Sequence, residues 1–234
     1  MHGIDDHPVA LRPPQVTDVT TLRVWRAHGP ARPTALLLAP GARSDFDEPV
    51  LSALAAGLAA RGVTVGSFNF GYRQAGRRAP DRRDRLEAAF HDVLAAFADR
   101  TGARHHLLGG RSMGGRIATL LAADGAGAGV VTLAYPLHPN GRPDPRRTAH
   151  WPKIATPLLF VHGDRDRLCP VEDLDAARAA YLPNAAHTAH VIAGADHSFV
   201  VRRADGRTAA EVRAELAATV DAWIAQTFED GHHG

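Results

Sequence analysis

One serine of the chain stands in a turn built mainly of glycine. Residues 107–115 read LLGGRSMGG, so Gly110, Ser112 and Gly114 form the pattern G-x-S-x-G between an apolar run and an alanine-rich helical pattern. That context is typical of a nucleophile elbow, a strained strand-to-helix turn that presents a serine hydroxyl at the top of a sheet. The pattern therefore predicts a nucleophile for acyl transfer.

A serine hydroxyl becomes a good nucleophile when a histidine takes its proton and an acid orients that histidine. The acid is expected first and the histidine second, both after the serine. Asp166 in LLFVHGDRDRLCP is the preferred acid, because the spacing from Gly163 lets its carboxylate leave the turn, and Asp164 is interpreted as a brace of that turn. His197 in VIAGADHSF, just past another apolar run, is the candidate base among 14 histidines.

Acyl transfer also needs donors for the negative oxygen of the tetrahedral intermediate. The backbone N–H of Met113, directly after the serine and at the start of a helix, is one candidate. The second donor is expected in the loop that follows an early buried strand, LLLAPGARSDF. By position we assign it to the N–H of Ala42.

The elements around these residues follow an alternating pattern. Short β-rich runs alternate with helical patterns, which predicts a mostly parallel sheet flanked by helices. Strands are expected at 20–27, 34–41, 63–70, 105–110, 130–137, 156–163 and 188–194. Helices are expected at 49–62, 80–100 and 208–228, where apolar residues recur at helical spacing. The proline-rich segment 138–152 lacks periodicity and is a candidate rim of a site.

Composition limits the class of protein. The 234 residues are 45% hydrophobic and 22% charged, which indicates one globular domain over 1–234, with 1–18 and 229–234 peripheral or frayed. A formal net charge of +2 gives no reason to expect nucleic acid as a partner. The only cysteine, Cys169, excludes an intramolecular disulfide, and no signal-peptide or membrane-spanning pattern is present, so we expect a cytoplasmic protein that binds no membrane.

Several arginines could meet a substrate. The arginine-rich stretch 72–85 is either the solvated start of a helix or a source of guanidinium groups, from Arg73, Arg77 or Arg78, that hold an anionic carboxylate. Nucleic acid is a third interpretation, but no aromatic platform accompanies the charge. Arg111, inside the serine turn, forms either a structural ion pair or a contact across the pocket.

The remaining reactive side chains suggest no further chemistry. Cys169 is interpreted as a buried thiol, with a pocket-lining position as the alternative. The scattered histidines, including His232 and His233, lack the spacing of metal ligands, so we expect neither a metal nor another cofactor.

The blocks APGARSDFDEP, FNFGYRQAGRRAPD, GGRSMGGR, YPLHPNGRPD, FVHGDRD and GADHSF together resemble the α/β-hydrolase superfamily, in particular small lidless proteins akin to dienelactone hydrolase. They resemble still more a bacterial family related to the hydrolase-like domain of a testis-expressed protein and of a subunit of a histone-acetyltransferase complex. The resemblance implies an α/β-hydrolase fold without a large lid domain. It also implies that Ser112 is the nucleophile, Asp166 the acid and His197 the base. The oxyanion donors would be the N–H groups of Ala42 and Met113.

The sequence thus favours a serine hydrolase that cleaves a small ester, thioester or lactone through an acyl-enzyme. The alternative is a hydrolase-like binding or scaffold module without turnover, and the reactivity of Ser112 discriminates between the two. A peptidase or lipase would need an extra domain or a long apolar lid, and no segment supplies either. The oligomeric state is not indicated.

Overall fold

The computed structural model describes residues 3–139 and 142–229. Two segments discussed above lie outside the described residues. One is 230–234, which contains His232 and His233 and belongs to the tail expected to fray; the other is 140–141, in the proline-rich segment. The strands are β1 Ile4–Ala10, β2 Val19–Trp25, β3 Thr34–Ala39, β4 Thr64–Phe68, β5 His105–Arg111, β6 Val130–Leu133, β7 Leu158–Gly163 and β8 His187–Ile192. The helices are α1 Pro49–Ala59, α2 Gly71–Gln74, α3 Arg83–Thr101, α4 Met113–Ala123, α5 Val171–Tyr181 and α6 Ala209–Ile224.

All eight strands belong to one sheet in the order β1-β2-β4-β3-β5-β6-β7-β8. Strand β1 is antiparallel to β2, and β2 is antiparallel to β4. The other six strands, β3 to β8 in chain order, are parallel to their neighbours among themselves. The predicted α/β class with a mostly parallel sheet is confirmed. None of the helices in the described part of the chain is long and apolar enough to cross a membrane.

The strand order reverses direction between β3 and β5. The chain moves outward from β3 to β4, then returns to place β5 on the other side of β3. At such a point the loops after two neighbouring strands lead to opposite faces of the sheet and leave a crevice between them. The loop of Ala42 and the turn of Ser112 are the two that flank this crevice.

Two apolar clusters cover the two faces of the sheet. The helices α3 and α4 contribute to one, with buried residues that include Phe90, Phe97 and Ile117. The helices α1 and α6 contribute to the other, with Leu54 and Trp223 among its members. The amphipathic spacing that predicted α3 and α6 is explained by these faces, because each helix buries one stripe and leaves the other in solvent.

The structure differs from the sequence-based expectations at two strands. Residues 4–10, within the segment expected to be peripheral or frayed, form the outermost strand β1. Pro8 and neighbouring acidic residues lower the strand propensity there, and an edge strand tolerates both. The strand expected at 130–137 ends at Leu133, because the backbone of Ala134 has a φ of 51° and the chain leaves the sheet.

Candidate active site

Ser112 lies in the sharp turn between β5 and α4. Its backbone has φ 50° and ψ −113°, a conformation that is costly for a residue with a side chain. The turn is held by the Ser112 N–H, which donates to the Leu133 carbonyl at 2.8 Å, and by the Arg116 N–H, which donates to the Ser112 carbonyl at 3.1 Å. The strained conformation is therefore fixed from the neighbouring strand and from the first turn of the helix.

The glycines around Ser112 leave space for the end of β3. A Cβ built on Gly114 would lie 2.1 Å from the carbonyl oxygen of Ala39, and one on Gly110 would lie 2.4 Å from the same oxygen. Both distances are far below any real contact, so backbone would have to move. The glycines of the G-x-S-x-G pattern are thus needed because the backbone of the β3 loop packs directly against the serine turn.

Three of the predicted residues form one chain of hydrogen bonds. The Nε2 atom of His197 lies 3.0 Å from Ser112 Oγ, and its Nδ1 atom lies 2.7 Å from Asp166 Oδ2. A carboxylate only accepts, so Nδ1 carries the hydrogen and Nε2 is the acceptor for the serine hydroxyl. The Asp166 side chain is fully buried, whereas the His197 side chain is 24% exposed. This arrangement can take a proton from Ser112 and stabilise the imidazolium that results.

The acid and the histidine are aligned by contacts between their two loops. Asp166 Oδ1 accepts the N–H of Leu168 at 2.8 Å, which fixes the carboxylate. Asp164 Oδ1 accepts the N–H of Gly194 at 2.8 Å, so the hydrogen bond of this side chain braces the loop that carries His197. A Cβ on Gly163 would lie 2.0 Å from a carbonyl oxygen in the histidine loop, a proximity that only glycine allows.

The two predicted oxyanion donors lie on adjoining segments. A Cβ on Gly114 would come within 2.7 Å of the Pro40 carbonyl oxygen, so the β3 loop that carries Ala42 runs beside the turn that carries Met113. Within 3–139 and 142–229, neither the Ala42 N–H nor the Met113 N–H donates to another protein group. The next residue, Arg43, donates its N–H to the Tyr72 hydroxyl at 3.3 Å, which holds the loop in place.

The arginines of the 72–85 stretch are mostly paired with local acids. Arg73 lies 3.4 Å from Asp45, in the loop that follows the predicted oxyanion residue, and Arg77 lies 3.0 Å from Asp81. Arg78 is exposed. The side chains of Arg73 and Arg77 therefore have carboxylate partners within the protein, and none of the three hydrogen-bonds to the Ser112–His197–Asp166 chain.

Arg111 forms a buried ion pair that the sequence suggested without naming its partner. Its Nε lies 3.1 Å from Glu48 Oε1, and its Nη1 donates to the His197 carbonyl at 3.5 Å. Glu48 directly precedes α1 and lies 63 residues before Arg111 in the sequence. Because no spacing pattern links the two positions, the sequence alone could not identify Glu48 as the partner. The ion pair with Glu48 favours a structural role for Arg111. Its guanidinium also connects the serine turn to the histidine loop.

Cys169 lies beside the acid loop, where its N–H donates to the Asp166 carbonyl at 3.1 Å, but its thiol is not part of the Ser112–His197–Asp166 chain. Cys169 is completely buried, and burial raises the pKa of its thiol, with a smaller contribution from Asp166. In the part of the chain that the structure describes, no group of three or more histidine, cysteine, aspartate or glutamate side chains is placed to hold a metal ion.

A polar cavity adjoins the histidine. The loops after β7 and β8 enclose about 750 Å³, within the range of small-molecule sites, and Asp166 and His197 lie in the wall. The other charged wall residues are Asp164, Arg165, Arg167, Glu172, Asp196 and Arg202. Such a wall offers many hydrogen-bonding groups, with apolar surface from Leu168, Pro170 and Val171 between them.

Comparison with known proteins gives this geometry a family. The model of the alpha/beta hydrolase domain matches residues 32–225. The chain belongs to the alpha/beta hydrolase family. The matched range contains every residue assigned above to the serine turn, the acid loop and the histidine loop.

Solved structures agree with this alpha/beta hydrolase in fold. An alpha-beta serine hydrolase homologue from Coxiella burnetii is 22% identical with a TM-score of 0.73, and the match covers 94% of this chain and 98% of that one. A serine hydrolase without a lid from Xanthomonas campestris is 16% identical with a TM-score of 0.70 and 94% of each chain covered. Dienelactone hydrolase from Anabaena variabilis is 16% identical, with a TM-score of 0.69 over 97% of this chain and 99% of its own.

Proposed function

We propose that this alpha/beta hydrolase is a serine hydrolase that cleaves a small ester, thioester or lactone through an acyl-enzyme. The observation that carries the proposal is the pair of distances at His197, 3.0 Å to Ser112 Oγ and 2.7 Å to Asp166 Oδ2. The strained backbone of Ser112 and its position at the start of α4 add support, since strain at such a turn is typical of functional sites.

The first half of the reaction forms the acyl-enzyme. His197 Nε2 takes the hydroxyl proton as Ser112 Oγ bonds to the carbonyl carbon of the substrate, and Asp166 stabilises the imidazolium. The carbonyl oxygen becomes an oxyanion that accepts hydrogen bonds from the N–H groups of Ala42 and Met113. Collapse of the intermediate breaks the bond to the leaving group, which receives the proton from His197.

The second half releases the acid. His197 Nε2 takes a proton from water, the hydroxide bonds to the acyl carbon, and the same two N–H groups stabilise the second oxyanion. The bond to Ser112 Oγ then breaks, and Oγ recovers its proton from His197. Atoms and charges balance without a further reactant.

We infer the substrate class from the cavity beside His197, whose wall includes Asp166 but not Ser112. The cavity beside the imidazole is lined mainly by charged side chains, which favours a water-soluble leaving group over a long lipid chain. The likeness to a dienelactone hydrolase, at 16% identity, is a reason to include lactones among the first compounds tested.

Labelling with a fluorophosphonate probe tests the proposal. The probe loses fluoride as its phosphorus bonds to an activated serine, so we expect labelling of the wild type and none in Ser112→Ala or His197→Ala. Ser198→Ala removes an exposed hydroxyl next to His197 and is the matched control, which should label like the wild type. Hydrolysis of short esters should fall by about 10⁴-fold or more in Ser112→Ala.

Two results would contradict the proposal. Labelling that persists in Ser112→Ala would assign the reactivity to another residue. A folded wild type that neither labels nor hydrolyses esters, thioesters and lactones would favour the binding or scaffold module without turnover.

A further inference from the structure

A second cavity lies between α3, α4 and the segment 145–153. It encloses about 200 Å³, less than the roughly 300–1,000 Å³ of sites for drug-sized molecules, so it has room for a small ligand. Its wall residues are Arg83, Leu120, Ala123, Asp124, Arg146, Ala149, His150 and Lys153. We call it the Lys153 cavity.

The Lys153 cavity is surrounded by more cations than carboxylates. Arg83, Arg146 and Lys153 lie in its wall, and Asp124 is the one carboxylate among the wall residues. The Arg116 guanidinium lies close behind, since its Nη2 donates to the Arg146 carbonyl at 3.4 Å, and Arg147 is near enough to Arg116 for the two charges to repel each other. Nearby carboxylates neutralise only part of this positive charge. Glu87 forms an ion pair with Arg83, while the single carboxylate of Asp144 is shared by Arg146 and Arg147.

Arg116 is less exposed than Lys153 and, like it, has no carboxylate partner among the described residues. In the described residues no carboxylate lies within ion-pair distance of it, and its Nε is buried without a hydrogen-bond partner. Burial lowers the pKa of Arg116, and repulsion from Arg147 and Arg83 lowers it further. A partly buried cation without a counter-ion is costly, and an anion nearby would reduce that cost.

His150 responds to the same positive potential. Its Nε2 lies 2.8 Å from Thr119 Oγ1, and that hydroxyl donates to the Arg116 carbonyl at 2.8 Å, so the imidazole nitrogen is the donor. Burial, with smaller contributions from Arg116 and Arg83, lowers the pKa of His150 to about 3. The imidazole is therefore neutral at pH 7 and leaves the excess charge to the guanidinium groups and the lysine.

Lys153 is the only lysine in the chain, where all other basic side chains apart from histidine are arginines. It is exposed at the cavity and, in the part of the chain described, pairs with no carboxylate. Three N–H donors on a flexible stem are well suited to meet a phosphate group as a point charge, while arginine provides the fork-shaped contact.

We propose that the Lys153 cavity binds a small oxyanion of the phosphate class, either free phosphate or the phosphoryl group of a small phosphomonoester. Arg83 and Lys153 contact the anion, and Arg116 contributes charge from behind the wall. The site is separate from the Ser112 chemistry, so failure of one proposal leaves the other standing.

Calorimetric titration with inorganic phosphate tests the proposal, at constant ionic strength and in a buffer without phosphate. We expect saturable binding of one phosphate, weakened about tenfold or more by Lys153→Glu and also weakened by Arg116→Met. Arg213→Glu reverses an exposed charge on α6, across the sheet, and is the matched control that should bind like the wild type. Absence of saturation in the wild type, or equal affinity in Lys153→Glu and Arg213→Glu, would overturn the site.

A parallel titration with glycerol phosphate separates the two sources of the anion. Tighter binding of glycerol phosphate supports a phosphomonoester, and tighter binding of inorganic phosphate supports the free ion. If neither compound binds, the proposal is wrong.

The single lysine permits a test that needs no substitution. Reductive methylation with ¹³C-formaldehyde preserves the charge of Lys153 and gives it a methyl resonance that can be followed in the wild-type protein. We expect this resonance to shift with phosphate, at the dissociation constant that calorimetry gives for the same methylated protein. A resonance that stays in place while phosphate binds would locate the anion elsewhere and overturn the proposal.

Discussion

The carboxylate of Glu48 lies 3.1 Å from the guanidinium of Arg111, and both side chains are nearly buried, with 12% and 14% of their surface exposed. Arg111 belongs to the serine turn, and Glu48 lies at the end of the loop that carries Ala42. Because Arg111 also donates to the His197 carbonyl, one guanidinium joins three loops of the candidate site. The pair therefore connects the turn of Ser112, the loop of His197 and the loop of Ala42, which carry the proposed nucleophile, base and oxyanion donor.

Arg111→Met should lower kcat by about 10- to 100-fold and leave KM nearly unchanged, because small misplacements of reacting groups reduce the rate of the chemical step. Steady-state kinetics on whichever short ester the enzyme hydrolyses would measure this. Arg111→Lys keeps the charge and should retain more of the activity. Arg104→Met, at an exposed position, is the control. A raised KM with unchanged kcat would instead make Arg111 a substrate-binding residue.

A stability cycle should separate the ion pair from general packing. Arg111→Met leaves the Glu48 charge buried without a partner and should lower the free energy of unfolding by about 3–5 kcal/mol. Adding Glu48→Gln removes that charge, so the double variant should be less destabilised than the sum of the two single ones, by about 1–3 kcal/mol. Urea unfolding of all four proteins measures the coupling. Simple additivity would mean that the two side chains do not stabilise one another.

Gly114→Ala should disrupt the serine turn. Its Cβ would lie 2.1 Å from the Ala39 carbonyl oxygen, so either the β3 loop or α4 must move, and we expect a loss of about 2–4 kcal/mol of stability with loss of probe labelling. Gly71→Ala is the matched control, since its Cβ would meet side chains and no backbone: the end of Gln15 at 3.3 Å, and Val16 and Thr17 at an ordinary 3.6 Å. Unchanged stability and labelling in Gly114→Ala would contradict the steric account of the motif.

Local patterns in the sequence predicted most of the elements, because the apolar periodicity of each strand and helix reflects the face that it buries. They also predicted the order of serine, acid and histidine, since each follows a strand that ends at the same edge of the sheet. The edge strand β1 was missed because Pro8 and acidic residues mask its propensity.

Contacts between distant loops were beyond the reach of these patterns. Glu48 and Arg111 meet only because α1 begins beside the serine turn, and the close approach of Gly163 to the histidine loop depends on the pairing of β7 with β8. Periodicity and motif spacing describe neighbours along one element. The Lys153 cavity likewise depends on three separate segments, and none of them has a recognisable motif.

Cys169 should be inert in the folded protein. Its side chain is fully buried and burial raises the pKa of the thiol, so both access and thiolate formation are suppressed. We expect Ellman's reagent to react with native protein about 10³-fold or more slowly than with urea-unfolded protein, since reaction requires opening of the structure. Ser198→Cys in a Cys169→Ala background places a thiol at an exposed position and should react quickly. Rapid labelling of native wild type would contradict the buried assignment.

The neutral state of His150 should make stability depend on pH. Its pKa is about 3 in the folded protein and 6.5 ordinarily, so the unfolded chain binds the proton first as the pH falls below 6.5. Stability is therefore fully present above pH 6.5 and declines toward pH 3, at a slope of up to about 1.4 kcal/mol per pH unit from this group.

His150→Asn should remove that part of the pH dependence. The amide does not titrate, so the stability advantage of the wild type should shrink by about 1–2 kcal/mol between pH 7 and pH 5. Urea unfolding at several pH values, in buffers without phosphate, measures the difference. Val200→Ala changes an exposed side chain that does not titrate, so it is the control and should keep the pH dependence of the wild type. Parallel curves for His150→Asn and the wild type would mean that His150 is not held neutral by its surroundings.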